Sequence, residues 1–281
     1  MTELIPTIML NDGVEIPALG FGTYKLKGAT GVNSILSAIN NGYRLLDSAF
    51  NYENEGTLGE ALRRTHVARE ELFITSKLPG RHQKYDEAIA TIQESLYRTG
   101  VDYYDLYLIH WPNPKQGNYV EAWRALIDAQ KWGLIRSIGV CNFLPEHIAT
   151  LIKETGVVPS INQIELHPFF NQEVQRNYNQ SKEIVTQSWS PLGRKLTALL
   201  ENDALKRIAQ KYHKSIPQII LRWHVELGAI PIPKSSSSSR QVENRQIFDF
   251  SLTQEEREVI NQLTKENGRL ANQDPAEYEE F

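Results

Sequence analysis

Asp47, Lys77 and His110 each follow a short apolar run: Tyr43-Arg44-Leu45-Leu46 before the aspartate, Leu72 to Ser76 before the lysine, and Leu106 to Ile109 before the histidine. Tyr52 comes five residues after Asp47. Taken singly, each has an ordinary explanation: a helix cap, a solvated charge, a hydrogen-bonded core histidine, a packing aromatic. Brought to one place, the four have the chemistry of carbonyl reduction, in which carbon receives a hydride and oxygen a proton. A tyrosine titrates near ~10 and gives up its proton reluctantly, and a neighbouring ammonium eases the release by stabilising the phenolate. Lys77 offers such an ammonium, Asp47 keeps it charged and in place, and His110 can hydrogen-bond the carbonyl oxygen and orient it.

For these residues to meet, the apolar runs that carry them must end on one face. A short apolar run ending in a polar residue, then a longer amphipathic stretch, recurs along the chain, which is the pattern of parallel strands joined by crossover helices. Eight runs read as strands, ending near Gly22, Asp47, Ser76, His110, Val140, Ile164, Ser188 and Pro233. Helical patterns cover Gly31–Asn41, Glu55–Thr65, Tyr85–Thr99, Tyr119–Trp132, Pro145–Thr155, Glu173–Ser181, Ala204–Tyr212 and Ile216–Leu227. Gly42, Gly100 and Gly133 stop three of them, and Pro217 sits in the first turn of the last.

With no boundary between the units, the pattern predicts one α/β domain over 1–281, a (β/α)8 TIM barrel, whose active site forms at the C-terminal ends of its strands. An open doubly wound sheet is the alternative, but the glycine-rich dinucleotide fingerprint after the first strand is missing. Ile8-Met9-Leu10 and Val14-Glu15-Ile16, around Asn11-Asp12-Gly13, predict a β-hairpin closing the barrel bottom. The acidic tail, Asn267 to Phe281, has no periodicity and is expected to cross the barrel as an extended segment.

A formal charge of −4 gives no electrostatic reason to expect nucleic acid or an anionic membrane as partner, so a small molecule is expected. The first six residues carry an acid and a proline where a secretory signal needs a basic region and an apolar run, and no stretch approaches the ~20 apolar residues of a membrane span. Cys141 is the single cysteine and can form no intramolecular disulfide. A cytoplasmic setting follows, and a sheet that closes on itself favours a monomer.

Eight stretches carry a family resemblance. They are Gly20-Phe21-Gly22-Thr23-Tyr24, Asp47 through Tyr52-Glu53-Asn54-Glu55, Thr75-Ser76-Lys77-Leu78, Leu108-Ile109-His110-Trp111-Pro112, Ile138 to Phe143, Asn162 to Pro168, Trp189-Ser190-Pro191-Leu192-Gly193, and Ile232-Pro233-Lys234-Ser235. In this order, over nearly the whole chain, they resemble the aldo-keto reductase superfamily. The resemblance implies that Asp47, Tyr52, Lys77 and His110 are a catalytic tetrad and that NADPH is the hydride donor. It implies that Gly22, Thr23, Ser190 and Leu192 touch the cofactor, that Asn142 and Gln163 hold its carboxamide, and that Trp189 stacks on its nicotinamide ring. Cys141 stands where the family usually has serine, and a thiol is the weaker hydrogen-bond partner.

Five serines, Ser235 to Ser239, by themselves suggest a flexible linker. Lys234 directly precedes them, and Arg240, Glu243 and Asn244 follow, a spacing that resembles the family's site for the adenosine 2′-phosphate and adenine. Ammonium, guanidinium and the hydroxyls of Ser235 and Ser236 are suited to a phosphate, which favours NADPH over NADH. The resemblance also implies that Tyr24, Phe50 and Trp111, with His110, line the substrate pocket. Pro79-Gly80-Arg81-His82 departs from the family pattern, in which another aromatic residue often follows the lysine-bearing strand. The run Gln187 to Gly193 and the compact turn Leu192 to Leu196 resemble the bacterial branch that reduces diketo sugar acids and glyoxals; Arg81, His82 or Arg194 could attract a substrate carboxylate.

Two other classes compete. Asp47, His110, Glu165 and His167 are metal-ligand types, but metal-dependent barrel hydrolases pair histidines at the end of the first strand, where Thr23-Tyr24 stand here, so no metal is expected. A regulatory protein that holds a nicotinamide cofactor with little turnover has no use for a matched acid and its activating lysine.

Overall fold

A computed structural model describes residues 4–193 and 196–281. Two short strands, β1 (Thr7–Met9) and β2 (Glu15–Pro17), pair antiparallel with Ile8 opposite Ile16. The next strands are β3 (Gly20–Gly22), β4 (Leu45–Asp47), β5 (Phe73–Leu78), β6 (Tyr104–Ile109), β7 (Ile135–Cys141), β8 (Ile161–Glu165), β9 (Val185–Trp189) and β10 (Ala229–Pro231). They form one eight-stranded sheet, all parallel, each strand beside its neighbour in the chain. Helices α1 (Gly28–Asn40), α2 (Glu55–Arg64), α3 (Tyr85–Thr99), α4 (Tyr119–Lys131), α5 (Pro145–Thr155) and α6 (Glu173–Ser181) connect the strands up to β9, and the TIM barrel is the fold.

The sheet closes where β3 meets the end of β10: the Gly22 amide donates to the Pro233 carbonyl at 3.1 Å. A Cβ on Gly20 would lie 2.7 Å from Ile232 Cγ2, and one on Gly22 would lie 3.0 Å from the Ile232 carbonyl. Residues without a side chain allow this close approach.

Strand alternation sorts the apolar residues into two layers. Leu45, Phe73, Leu106, Leu108, Cys141, Ile161, Ile230 and Ile232 point inward and pack together. Leu46, Ile74, Tyr107, Ile109, Ile138 and Val140 point outward into the core shared with the helices. Continuing the inward series toward the C-terminal ends gives Asp47 after Leu45, Lys77 after Phe73 and Thr75, His110 after Leu108 and Gln163 after Ile161. The polar side chains are therefore the top layer of the same column whose lower layers are aliphatic.

The hairpin stops the other end, as its sequence predicts. Leu10 and the fully buried Ile16 join the inner column. Asn11 donates to the Pro159 carbonyl at 3.1 Å, and Ser137 donates to Asp12 at 2.6 Å, tying the turn to β7 and to the chain entering β8.

Helices α3, α5 and α6 have the boundaries that periodicity predicts, and α8 (Asp203–Tyr212) and α9 (Ile216–Glu226) differ by one residue at one end. Three helices are additional: α7 (Leu196–Leu200), α10 (Ser238–Arg245) and α11 (Gln254–Asn261). The serine run is no linker. Ser237 caps α10 by accepting from the Arg240 amide, and Ser238 and Ser239 are its first turn. The tail also departs from expectation. In place of an extended segment, it turns at 266–267, 271–272 and 275–277 and brings its last residues to the barrel mouth. Carboxylates and amides along the rim supply the hydrogen bonds that an extended strand would have needed from a sheet edge.

Helix α9 also fixes the end of β9. Buried His224 has Nε2 3.0 Å from the Pro191 carbonyl, which can only accept, so Nδ1 takes the Ser188 hydroxyl proton at 3.1 Å. Burial depresses the His224 pKa to about 3, against the partial support of the Pro191 carbonyl. Between that value and the ordinary ~6.5, the unfolded chain binds a proton that the folded chain refuses, so stability falls as pH drops through this window. Urea midpoints measured across it should fall less for His224→Gln than for the native protein; parallel pH curves would remove the assignment. Ile16→Ala empties the centre of the plug and should cost about 2–5 kcal/mol, seen as a lower urea midpoint at neutral pH; an unchanged midpoint would mean that the hairpin is not part of the core.

Candidate active site

At the C-terminal face a cavity of about 340 Å³ opens, lined by residues from several strand ends, among them Gly22, Asp47, Tyr52, His110, Asn142, Gln163, Trp189 and Lys234. The expected tetrad meets here. Lys77 is fully buried beneath it and donates to Asp47 Oδ2 at 2.7 Å and to the Ser48 carbonyl at 2.6 Å. The other Asp47 oxygen accepts from Gln163 Nε2 at 2.8 Å. A single turn of 3-10 helix, Phe50–Tyr52, brings the Tyr52 ring over the lysine, with Nζ 5.0 Å from the ring centroid. The His110 ring stands edge-on to Tyr52 with centroids 5.9 Å apart.

Burial works against the Lys77 ammonium, but the charges of Asp47, Tyr52 and Cys141 outweigh it and hold its pKa above the usual lysine value. Burial likewise pushes the Tyr52 phenol above its ordinary value, and Lys77 pulls it back only in part. The sequence-based expectation of a net acidified tyrosine is therefore corrected: in this low-dielectric pocket, desolvation of the phenolate exceeds the attraction of the lysine.

Backbone geometry aims the rest of the site. Asn142, directly after β7, and Ser190, directly after β9, both have left-handed φ, 61° and 49°. Asparagine tolerates that region, and the bend turns each chain sharply at the mouth. Asn142 Nδ2 donates to the His110 carbonyl at 3.1 Å, and its Oδ1 accepts from Trp189 Nε1 at 2.8 Å, so the indole is oriented through the amide.

The expected cofactor residues divide. Gly22, Asn142, Gln163, Trp189, Ser190 and Lys234 line the cavity. Thr23 is buried behind it with its hydroxyl on the Asp47 carbonyl at 2.9 Å; Cys141 is buried in the inner column, and Leu192 packs on the core. Past β10, Ser235 is buried and bonds within its own turn, Ser236 is exposed, and Glu243 and Asn244 lie on α10. Lys234 and Arg240 are exposed, and neither has an ion-pair partner among the described residues. Two unpaired cations, a capped helix start and hydroxyls beside the cavity are a donor set that fits a phosphate.

On the substrate side, Tyr24 and Trp111 line the cavity; Tyr24 lies 5.0 Å from Tyr52 between ring centroids. Phe50 does not line it. Its ring is buried between the Arg98 guanidinium, at 4.1 Å, and His82, at 5.5 Å. Arg81 bonds Asn51, and His82 Nδ1 bonds the Thr91 hydroxyl at 2.9 Å, so neither faces the cavity; Arg194 lies outside the described residues. Glu165 and His167 hold each other at 2.9 Å, and Glu165 also accepts from the Leu270 amide at 2.6 Å.

Sequence reasoning missed the tail's contribution. Gln273, Tyr278 and Glu280 line the cavity, and Tyr278 stacks against Trp111 at 4.5 Å. Glu280 places Oε1 2.7 Å from His110 Nδ1 and accepts from the Gly80 amide with Oε2 at 2.9 Å. Its backbone exchanges two bonds with the Asn113 side chain, at 2.8 and 3.0 Å. A Cβ on Gly80 would sit 2.6 Å from the Glu280 carbonyl oxygen. The departure from the family at Pro79-Gly80 was the one local sign that something approaches the rim there.

Residues 18–265 match the model of the Aldo/keto reductase family. The 2,5-diketo-D-gluconic acid reductase B of Corynebacterium sp. is 49% identical over 99% of each chain. The glyoxal reductase of Bacillus subtilis is 43% identical over 94% of this chain and 95% of its own. Among solved structures, the Bombyx mori aldo-keto reductase in complex with NADP superposes with a TM-score of 0.90 at 36% identity, covering 99% of both chains. With this barrel, these strand-end side chains and these relatives, the chain belongs to the aldo/keto reductase family.

Proposed function

We propose that the protein is an NADPH-dependent carbonyl reductase, an oxidoreductase acting on aldehydes, ketones or dicarbonyls with Tyr52 as proton donor. The observation that carries this reading is the convergence of Tyr52, Lys77, Asp47 and His110 at the floor of a cavity whose wall holds two amides and an indole. When bound, NADPH supplies the hydride. Asn142 and Gln163 would hold its carboxamide, Trp189 would lie against its ring, and Lys234, Arg240 and the turn through Ser235 would hold its phosphate.

The protein's own groups manage the proton. A phenol held above its ordinary pKa keeps its proton at neutral pH, as a donor must. As the carbonyl oxygen gains negative charge, Tyr52 releases that proton to it, and the buried Lys77 ammonium stabilises the phenolate left behind. Asp47 keeps the ammonium oriented, and its second oxygen orients Gln163. His110 offers a hydrogen bond to the same substrate oxygen, and Tyr24, Trp111 and Tyr278 cover the apolar body of the substrate.

The names of the relatives, a diketogluconate reductase and a glyoxal reductase, support dicarbonyls as the substrate class. One catalytic unit over 1–281, working as a monomer in the cytoplasm, completes the reading: the sheet closes on itself, the single cysteine is buried, and no helix among the described residues is long and apolar enough to cross a membrane.

In a screen of small aldehydes, dicarbonyls and keto sugar acids followed by NADPH absorbance, Tyr52→Phe should lower kcat by about 10²–10⁴-fold with NADPH fluorescence quenching unchanged. Retained turnover would refute the proton donor, and no native turnover of any carbonyl would refute the enzyme. Arg240→Ala should weaken NADPH binding, leave NADH binding unchanged and so narrow the cofactor preference by about tenfold, the value of one charge-assisted contact. Equal loss for both cofactors would disprove the phosphate assignment.

A further inference from the structure

The Glu280 carboxylate reaches the active site from the opposite end of the chain. It is buried, its Oε1 lies 2.7 Å from His110 Nδ1, and its Oε2 is fixed by the Gly80 amide at 2.9 Å. Four further contacts set it there: two bonds between the Glu280 backbone and Asn113, the Lys115 amide on Glu279 at 2.7 Å, and the Tyr278 ring on Trp111. Gly80 has no side chain at the one point where a Cβ would block the approach.

An ionised carboxylate can only accept a hydrogen bond, so a proton on Nδ1 is the arrangement it stabilises. Burial disfavours the charged Glu280, yet the His110 ring and the hydrogen bonds from His110, Gly80 and Asn51 hold its pKa below the usual glutamate value. The other ring nitrogen, Nε2, has no protein partner among the described residues, and His110 lines the cavity, so Nε2 is the atom a substrate oxygen meets. With Nδ1 protonated, a neutral imidazole presents a bare lone pair at Nε2. Only the imidazolium presents an N–H there.

We propose that Glu280 is a positioning residue for His110: by keeping a proton on Nδ1, it lets Nε2 donate to a carbonyl oxygen only when the ring is cationic. The neutral ring instead accepts a hydroxyl proton from an alcohol. The tail thereby biases the site toward reduction in acid and toward alcohol oxidation in base, beyond the titration of Tyr52. The charged and titratable groups around the ring are Tyr52 from the turn after β4, the Asp47–Lys77 pair below, Cys141 from β7, Lys234 across the cavity and Glu280 itself.

This inference rests on the catalytic assignment proposed above, and its test separates the two. Glu280→Gln keeps an oxygen for the Gly80 amide and turns an NH₂ toward Nδ1, which favours the neutral tautomer with its proton on Nε2. With benzaldehyde and NADPH, the ratio of E280Q to native kcat/KM should rise about tenfold from about pH 6 to about pH 9, because the Tyr52 titration is common to both and divides out. Nitrogen-15 spectra of His110 above neutrality should show the proton on Nδ1 in the native protein and on Nε2 in E280Q. A flat ratio, or the same tautomer in both, overturns the role of Glu280. Failure of Tyr52→Phe to abolish reduction overturns the catalytic assignment instead, whatever the ratio does. Gly80→Ala is the second variant: by displacing the tail it should reproduce the E280Q pH trend, and a native profile in that variant counts against the proposal.

Discussion

Lys77 and Asp47 are two unit charges with almost no contact with water, and desolvating each costs several kcal/mol that their mutual attraction must offset. A buried pair of this kind is weak evidence of stability and strong evidence of purpose. It persists because every polar atom around it is occupied: Ser48 and Asp47 take the lysine's hydrogens, and Gln163 takes the second carboxylate oxygen. Gln163 also donates to Gln187 on the next strand at 2.6 Å, so four strand ends are held in register through one carboxylate. The barrel is the scaffold that makes such a cluster affordable, since its inner column excludes water from below while leaving the mouth open above.

The same alternation that builds the column explains what could be read from the sequence. Inward residues recur every second position, and the polar residue that ends each apolar run is the next one in the series. Asp47, Lys77, His110 and Gln163 could therefore be located from local pattern alone, as could α3, α5 and α6, whose apolar spacing and glycine or proline stops lie within one segment.

What could not be read depends on contacts between distant segments. Glu280 lies in an acidic tail without periodicity, and nothing near it in sequence indicates His110 as its partner. Phe50 has the expected type at the expected place, yet guanidinium and imidazole groups from the α3 side take its ring. Helix α11 begins with a reciprocal cap between Thr253 and Glu256 that was visible in principle, but its polar face carries too little apolar spacing to stand out. The Tyr52 pKa was misjudged in direction because burial, unlike a charged neighbour, has no trace in the order of residues.

The joint between β3 and the end of β10 gives one more consequence. The cylinder is fastened there by a backbone hydrogen bond at Gly22, and the cavity wall includes Gly22 on one lip and Lys234 on the other. A dinucleotide lying across both lips acts as a clasp over the weakest part of the circumference. Occupancy then does two things at once: it readies the chemistry and fastens the hoop, so the empty protein breathes most where its ligand arrives.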